Sequence, residues 1–444
     1  MRAATVRPPV KSGVFLLGSG LILAALALAL VLTSGGGGGS SSPAAAPLDP
    51  YAATQATVAF WEARVEADPA DFTAYNHLAS AYLQRARETG DVGDYGRAQA
   101  AVDASLAELP GDNPSAYALL ASLQITRHEF GEAIGTAGKA MELDPADPFA
   151  YALLGDAQLN LGQYSAAAIS YNELIARAPG LSAFSRLAHV YELQGDLPNA
   201  EGAWQNALST DAGRNAEASA WANTQFGTFY FNQGDLDSAA LQHDAALDAF
   251  PGYIHALAGQ ARIAAARGDY DGAIGLYTEV TDRQPLPEYV AALGDVYAAA
   301  RMTDEAQRQY DLIGAIDQLY RANGINIDLR LALFFADHDI RIGEAVQSAL
   351  AAYAAQSASV YAADAVAWAL YKADRADEAL PYARQALSLG TLDANLWYHA
   401  GMVYNALGDE GAAREHLQRA LDINLDFSVL QAPVAQQALE ELGR

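Results

Sequence analysis

An alanine returns at Ala98, Ala133, Ala167, Ala200, Ala239, Ala273, Ala306, Ala345, Ala379 and Ala413, at spacings of 35, 34, 33, 39, 34, 33, 39, 34 and 34 residues. A phase held over that length argues against one compact core. It prescribes a stack of similar units, each burying its apolar face against the next. The two spacings of 39 read as five-residue insertions near Asp211 to Asn215 and near Ala322 to Ile325. Much of the apolar content is alanine, which favours helix and close helix packing, so the chain is expected to be mostly helical.

Other residue types keep the same phase. Before each marker alanine, aromatic and Leu-Ala or Leu-Gly signatures recur, as in Tyr75, Leu78, Ala79 and Tyr82, in Phe184, Leu187, Ala188 and Tyr191, and in Trp397, Gly401 and Tyr404. A glycine-rich turn follows (Gly162, Gly195-Asp196, Gly234-Asp235, Gly268-Asp269, Gly408-Asp409). The marker alanine then comes with an aromatic four residues later (Tyr171, Trp204, Tyr277, Tyr310), and a closing proline at Pro110, Pro145, Pro179, Pro251 and Pro285. Small residues let paired helices approach, large ones fill the space beside them, and glycine and proline end the helices. On these residues the chain resembles the tetratricopeptide repeat family over about nine tenths of its length. That resemblance implies an all-α, right-handed superhelical solenoid of about ten helix pairs. Three units depart from the pattern: the first has a longer turn, Arg87 to Gly93, the seventh has Arg301 where the turn glycine is expected, and the eighth, around Leu329 to Ala352, lacks the closing proline and the first-helix glycine.

The termini frame the repeats. Arg2, Arg7 and Lys11 precede an uncharged apolar run from Gly13 to Leu32, and no charge follows until Asp49. Such a run is long enough to span a bilayer core, and the positive-inside rule keeps its N-terminus cytoplasmic. The expected organisation is a cytoplasmic tip and transmembrane or signal-anchor helix over residues 1–34 and a flexible Gly/Ser/Pro/Ala-rich linker over 35–47. A capping helix over 48–71, the repeat solenoid over 72–425 and a C-terminal capping helix over 426–444 follow. Whether the apolar run is retained as a single-span anchor or cleaved as a signal peptide, the repeats are expected outside the cytoplasm. The low lysine and high Arg, Ala and Gly content suggest a bacterial cell envelope.

Acidic residues number 53 against 26 basic ones, a net charge of −27, which repels phosphate backbones and makes nucleic acid a poor partner. Basic proteins suit the charge better. With no cysteine there are no disulfides, thiolate metal sites or cysteine nucleophiles. No phosphate-binding glycine loop or nucleophile elbow is present, and the eight histidines are scattered. Asp337-His338-Asp339 has ligand chemistry, but adjacent helical residues point about 100° apart, so no metal and no cofactor are assigned.

The expected function is therefore a non-catalytic scaffold for protein–protein interaction. In the resembling family, first helices line a concave groove that holds peptides or partner segments. Transferring that phase puts Asn76, Ser122, Asp156, Arg186, His189, Thr228, Arg262, Asp295, Phe334, Trp368, Tyr371 and Met402 on the groove side. The expected contact is concentrated in the later repeats, at Arg262, Asp295, Phe334, Asp337, His338, Asp364, Trp368 and Tyr371, because the eighth unit departs most from the pattern and such departures fall where function competes with packing. Trp368 and Tyr371, three residues apart on one helix face, would be the aromatic anchors, with a protein or peptide as partner. The rival expectation is an enzyme-associated subunit presenting substrate to a catalytic partner, or a hydrolase or metal site within the groove.

Overall fold

The computed structural model describes residues 50–211, 216–325 and 328–443. These form 22 α-helices, with no strand among the described residues. After α1 (Pro50–Ala67) come ten antiparallel pairs: α2 (Phe72–Thr89) with α3 (Gly93–Glu108), α4 (Pro114–Thr126) with α5 (Phe130–Leu143), α6 (Pro148–Asn160) with α7 (Tyr164–Arg177), α8 (Leu181–Leu193) with α9 (Leu197–Asp211), α10 (Ala216–Asn232) with α11 (Leu236–Ala249), α12 (Ile254–Ala266) with α13 (Tyr270–Arg283), α14 (Pro287–Ala299) with α15 (Thr303–Ala322), α16 (Asp328–Asp337) with α17 (Ile342–Ala355), α18 (Val360–Lys372) with α19 (Ala376–Ala386), and α20 (Ala394–Ala406) with α21 (Glu410–Ile423). A last helix, α22 (Gln431–Leu442), lays Ala432, Ala435 and Ala438 against the end of the stack. The apolar run and spacer expected within residues 1–47 lie outside the described residues. Among those that are described, no helix is long and apolar enough to cross a membrane.

Each marker alanine is between 0% and 3% exposed, at the closest approach of its helix pair. The Gly-Asp signature has a local cause. Gly234, Gly268 and Gly408 take left-handed backbone (φ 77°, 77° and 74°), ending the first helix. The aspartate that follows caps the second, accepting from the backbone N–H of Ser238, Gly272 and Ala412 respectively. Where the glycine is missing, the chain still makes the turn, with His128, Arg301, Asp339 and Asp374 at positive φ. In the eighth unit Arg341 is left-handed as well (φ 49°), and the first helix has 10 residues where most have 13. That unit holds the pattern with a shorter helix and two strained residues in one turn.

The stack winds until its turns meet. Val360 N–H donates to the Tyr164 hydroxyl at 3.0 Å, Thr391 Oγ1 to the Leu193 carbonyl at 2.6 Å, and Asn424 Nδ2 to the Phe231 carbonyl at 2.7 Å. These pairs lie 196, 198 and 193 residues apart. A nearly constant separation is the signature of a superhelix whose successive turns touch, here with units three to five against the chain nearly six repeats further on. Glycine makes the approach possible: a Cβ on Gly162 would lie 2.2 Å from the Ala358 backbone, and one on Gly195 2.6 Å from the Gly390 carbonyl. The concave side is thereby enclosed as a lumen.

Candidate functional site

Two positions in the repeat decide what faces inward. One lies eleven residues before the marker alanine, on the first helix; the other lies four after it, on the second helix, and reaches back toward the first. In the third unit these are Asp156 and Tyr171, whose hydroxyl donates to Asp156 Oδ1 at 3.0 Å. Arg186 closes the set, with Nε 2.8 Å from Oδ1 and Nη2 2.8 Å from Oδ2. Asp156 and Arg186 are both 0% exposed, so this is a sealed, bidentate ion pair inside the wall. In the seventh unit the same positions are Asp295 and Tyr310, again bonded at 3.0 Å, and His338 Nε2 lies 2.7 Å from the same carboxylate oxygen. Burial alone would lower the His338 pKa; the hydrogen bond and charge of Asp295 carry it above the ordinary value.

The sixth unit differs. Its residues at these positions are Arg262 and Tyr277. The guanidinium lies 3.9 Å from the centre of the Phe231 ring. Among the described residues no carboxylate comes within ion-pair distance of it, and burial holds its pKa below the ordinary value against the opposing charge of Asp393. The Tyr277 hydroxyl, on a residue only 4% exposed, is likewise without a hydrogen-bond partner among the described residues, and burial pushes its pKa up so that it stays a donor.

Both groups border a cavity of about 460 Å³ in the lumen. It is walled by first helices of units four to seven and closed at one side by the segment from Asp426 to Leu430 and by Gln431, which opens α22. Gln431 Nε2 fixes that segment by donating to Asp337 Oδ1 at 2.5 Å. The aromatic lining includes Trp204, Trp221, Phe231 and Tyr289. His189 and His255 are pushed down to about 4 by burial and are neutral at physiological pH. Burial pushes the Glu192 carboxyl up to about 7, against the opposing hydrogen bond from Trp204 Nε1 at 2.7 Å.

Of the residues expected to form the contact surface, Arg262, Asp295, Asp337 and His338 do border this cavity, while Phe334, Asp364, Trp368 and Tyr371 do not. The reading of Trp368 as an exposed anchor is corrected. It is 1% exposed, stacked on Tyr371 at 5.0 Å and on His399 at 4.1 Å, with its Nε1 donating to Asp337 Oδ1 at 2.7 Å. Asp364 is tied up below it, both oxygens 3.0 Å from His399 Nδ1. Phe334 packs on His338 and Tyr310. Further along the phase, Asn76 belongs to a buried hydrogen-bond set with Ser105 and Asn113. The Asp337-His338-Asp339 run diverges as its spacing requires: Asp337 turns to Trp368, His338 to Asp295, and Asp339 outward to Lys372. Among the described residues no group of three or more such side chains is arranged to hold a metal ion. Sequence reasoning missed Gln225, three residues before Thr228 on α10 and facing the same cavity. It also missed the C-terminal segment, whose place depends on the winding of the whole stack.

Comparison with known proteins follows the same units. Profiles of the tetratricopeptide repeat match residues 152–221, 225–286 and 394–427. No curated protein matches the chain. Solved structures similar to it include the Cut9-Hcn1 hetero-tetramer of the APC/C, at 14% identity and TM-score 0.39 over 88% of this chain and 94% of that one. The human IFIT1 dimer with PPP-AAAA is similar at 14% identity and TM-score 0.43 over 79% and 90%. YrrB, described as a tetratricopeptide protein with an unusual peptide-binding site, is similar at 23% identity and TM-score 0.28 over 41% and 92%. With the 34-residue period, ten helix pairs in register with it and profiles matching within them, the chain carries tetratricopeptide repeats.

Proposed function

We propose that this protein is a non-catalytic scaffold for protein–protein interaction that receives a segment of its partner in the lumen, at the cavity of units four to seven. The observation that carries the reading is the contrast between the wall and the lumen. Inside the wall, polar groups such as Asp156, Arg186 and Tyr171 satisfy one another. At the cavity, Arg262, Tyr277 and Gln225 have no hydrogen-bond partner among the described residues, although the latter two are 4% and 5% exposed. Unpaired buried polar groups cost stability, and the convergence of three such side chains on one cavity favours binding. Tetratricopeptide repeats, as a class, support such scaffolds. In this reading the apolar run from Gly13 to Leu32 tethers the repeats to a membrane, facing outside the cytoplasm, and the acidic surface favours a basic partner.

The test is photo-crosslinking in the native cell. A benzophenone amino acid is placed at Ala292, in the lumen, or at Leu241, 67% exposed on a second helix. The expected result is one discrete protein adduct from position 292 and none from position 241. Adducts from 241 alone would place the partner on the outer surface and reject the lumen.

A further inference from the structure

We infer that the cavity beside the sixth unit is a site for a small organic acid, held by its carboxylate between Arg262 and Tyr277, with an aromatic or similarly apolar body against the aromatic wall. The inference goes beyond the scaffold reading and is tested with no partner protein present. It starts from the repeat itself. In units three and seven the inward pair is a carboxylate and a phenol, acceptor and donor, bonded at 3.0 Å in both. In unit six arginine replaces the carboxylate, so the pair is two donors with nothing to accept. Guanidinium has donors only, and a phenol of raised pKa stays protonated. The missing component is an anionic acceptor, and a carboxylate has the planar two-oxygen edge that guanidinium binds best.

The surroundings admit such a ligand. Glu192 holds Trp204 Nε1, Asp295 holds Tyr310 and His338, and Asp337 holds Trp368 and Gln431, while Asp393 caps α20 through the Asn395 N–H and acts on Arg262 only through space, beyond ion-pair distance. Asp426, on the closing segment, has its pKa raised by burial. Gln225 adds a free amide, and His189 and His255 are neutral. A volume near 460 Å³ lies within the roughly 300–1,000 Å³ usual for small-molecule sites.

The experiment is isothermal titration of the full chain in detergent with three probes: phenylacetate, its neutral isostere phenylacetamide, and a hexapeptide ending in phenylalanine with a free carboxylate. The expected result is saturable binding of phenylacetate, at least about tenfold weaker binding of the amide, and at least about tenfold loss of phenylacetate affinity in both Arg262→Met and Tyr277→Phe. Equal binding of acid and amide, unaltered affinity in Arg262→Met, or no saturable binding of phenylacetate would each overturn it. Binding of the hexapeptide alone would show a pocket for a chain end and reject the free acid. Circular dichroism of both variants should match the parent; if Arg262→Met does not fold, Tyr277→Phe, which removes one oxygen, decides the matter.

Discussion

The third and sixth units occupy the same register of the superhelix and bury the same tyrosine, yet one is closed and the other open. In the third, Tyr171, Asp156 and Arg186 satisfy each other in a sealed wall. In the sixth, one change of residue type at the first-helix position leaves Arg262 and Tyr277 pointing donors into a cavity. The difference teaches that in a repeat protein the fold-determining positions and the binding positions can be the same positions. What separates them is whether the complementary group is supplied by the chain.

The largest expected effect attacks the closed unit. Asp156→Ala removes the carboxylate that balances the Arg186 charge at 0% exposure and should destabilise by about 3–5 kcal/mol, read from the urea midpoint. A loss under about 1 kcal/mol would mean that the sealed pair is dispensable and the comparison is empty. Next is Gly155→Ala. The new Cβ would sit 2.3 Å from Tyr171 Cε1, and overpacking should cost about 1–3 kcal/mol; the sixth unit already has Ala261 at this position, so the demand for glycine belongs to units such as the third and the seventh. A smaller contrast sharpens the point: Tyr310→Phe removes a hydrogen bond to Asp295 and should cost about 1 kcal/mol, whereas Tyr277→Phe removes none and should be near neutral without ligand. Equal losses would show that Tyr277 has a partner after all.

The smallest effect is pH-dependent. The folded pKa of His338 lies above its ordinary value of 6.5. A group raised on folding contributes its full stability below the unfolded pKa and loses it as pH rises through the folded one. The stability difference between the parent and His338→Gln should therefore be largest near pH 6 and shrink toward pH 8.5. A difference independent of pH would mean that the His338 to Asp295 contact at 2.7 Å is not ionic.

Much of this was legible in the sequence because it is local. The marker alanines fix which faces meet, and Gly-Asp fixes where one helix ends and the next is capped. Arg262 and Asp295 were in reach because their phase, eleven residues before the marker alanine, points them inward, and Asp337 and His338 because the eighth unit departs from the pattern. Trp368 was misread for a reason of scale. Its phase is that of Arg262, but His399 from the neighbouring unit stacks on it at 4.1 Å and covers it. Whether a groove position ends in cavity or in packing depends on the size of the residues one unit along. The closure of the lumen was further out of reach, since it sums small rotations over nearly 200 residues, as between Leu193 and Thr391.

The most direct measurement is the urea midpoint of Arg262→Met, taken without ligand beside that of Asp156→Ala. If the sixth unit is held open for a ligand, replacing its unpaired guanidinium with an apolar side chain that can still lie against Phe231 should leave the midpoint unchanged or raise it. A fall comparable to that of Asp156→Ala would contradict this, showing that Arg262 is as much a part of the wall as Arg186.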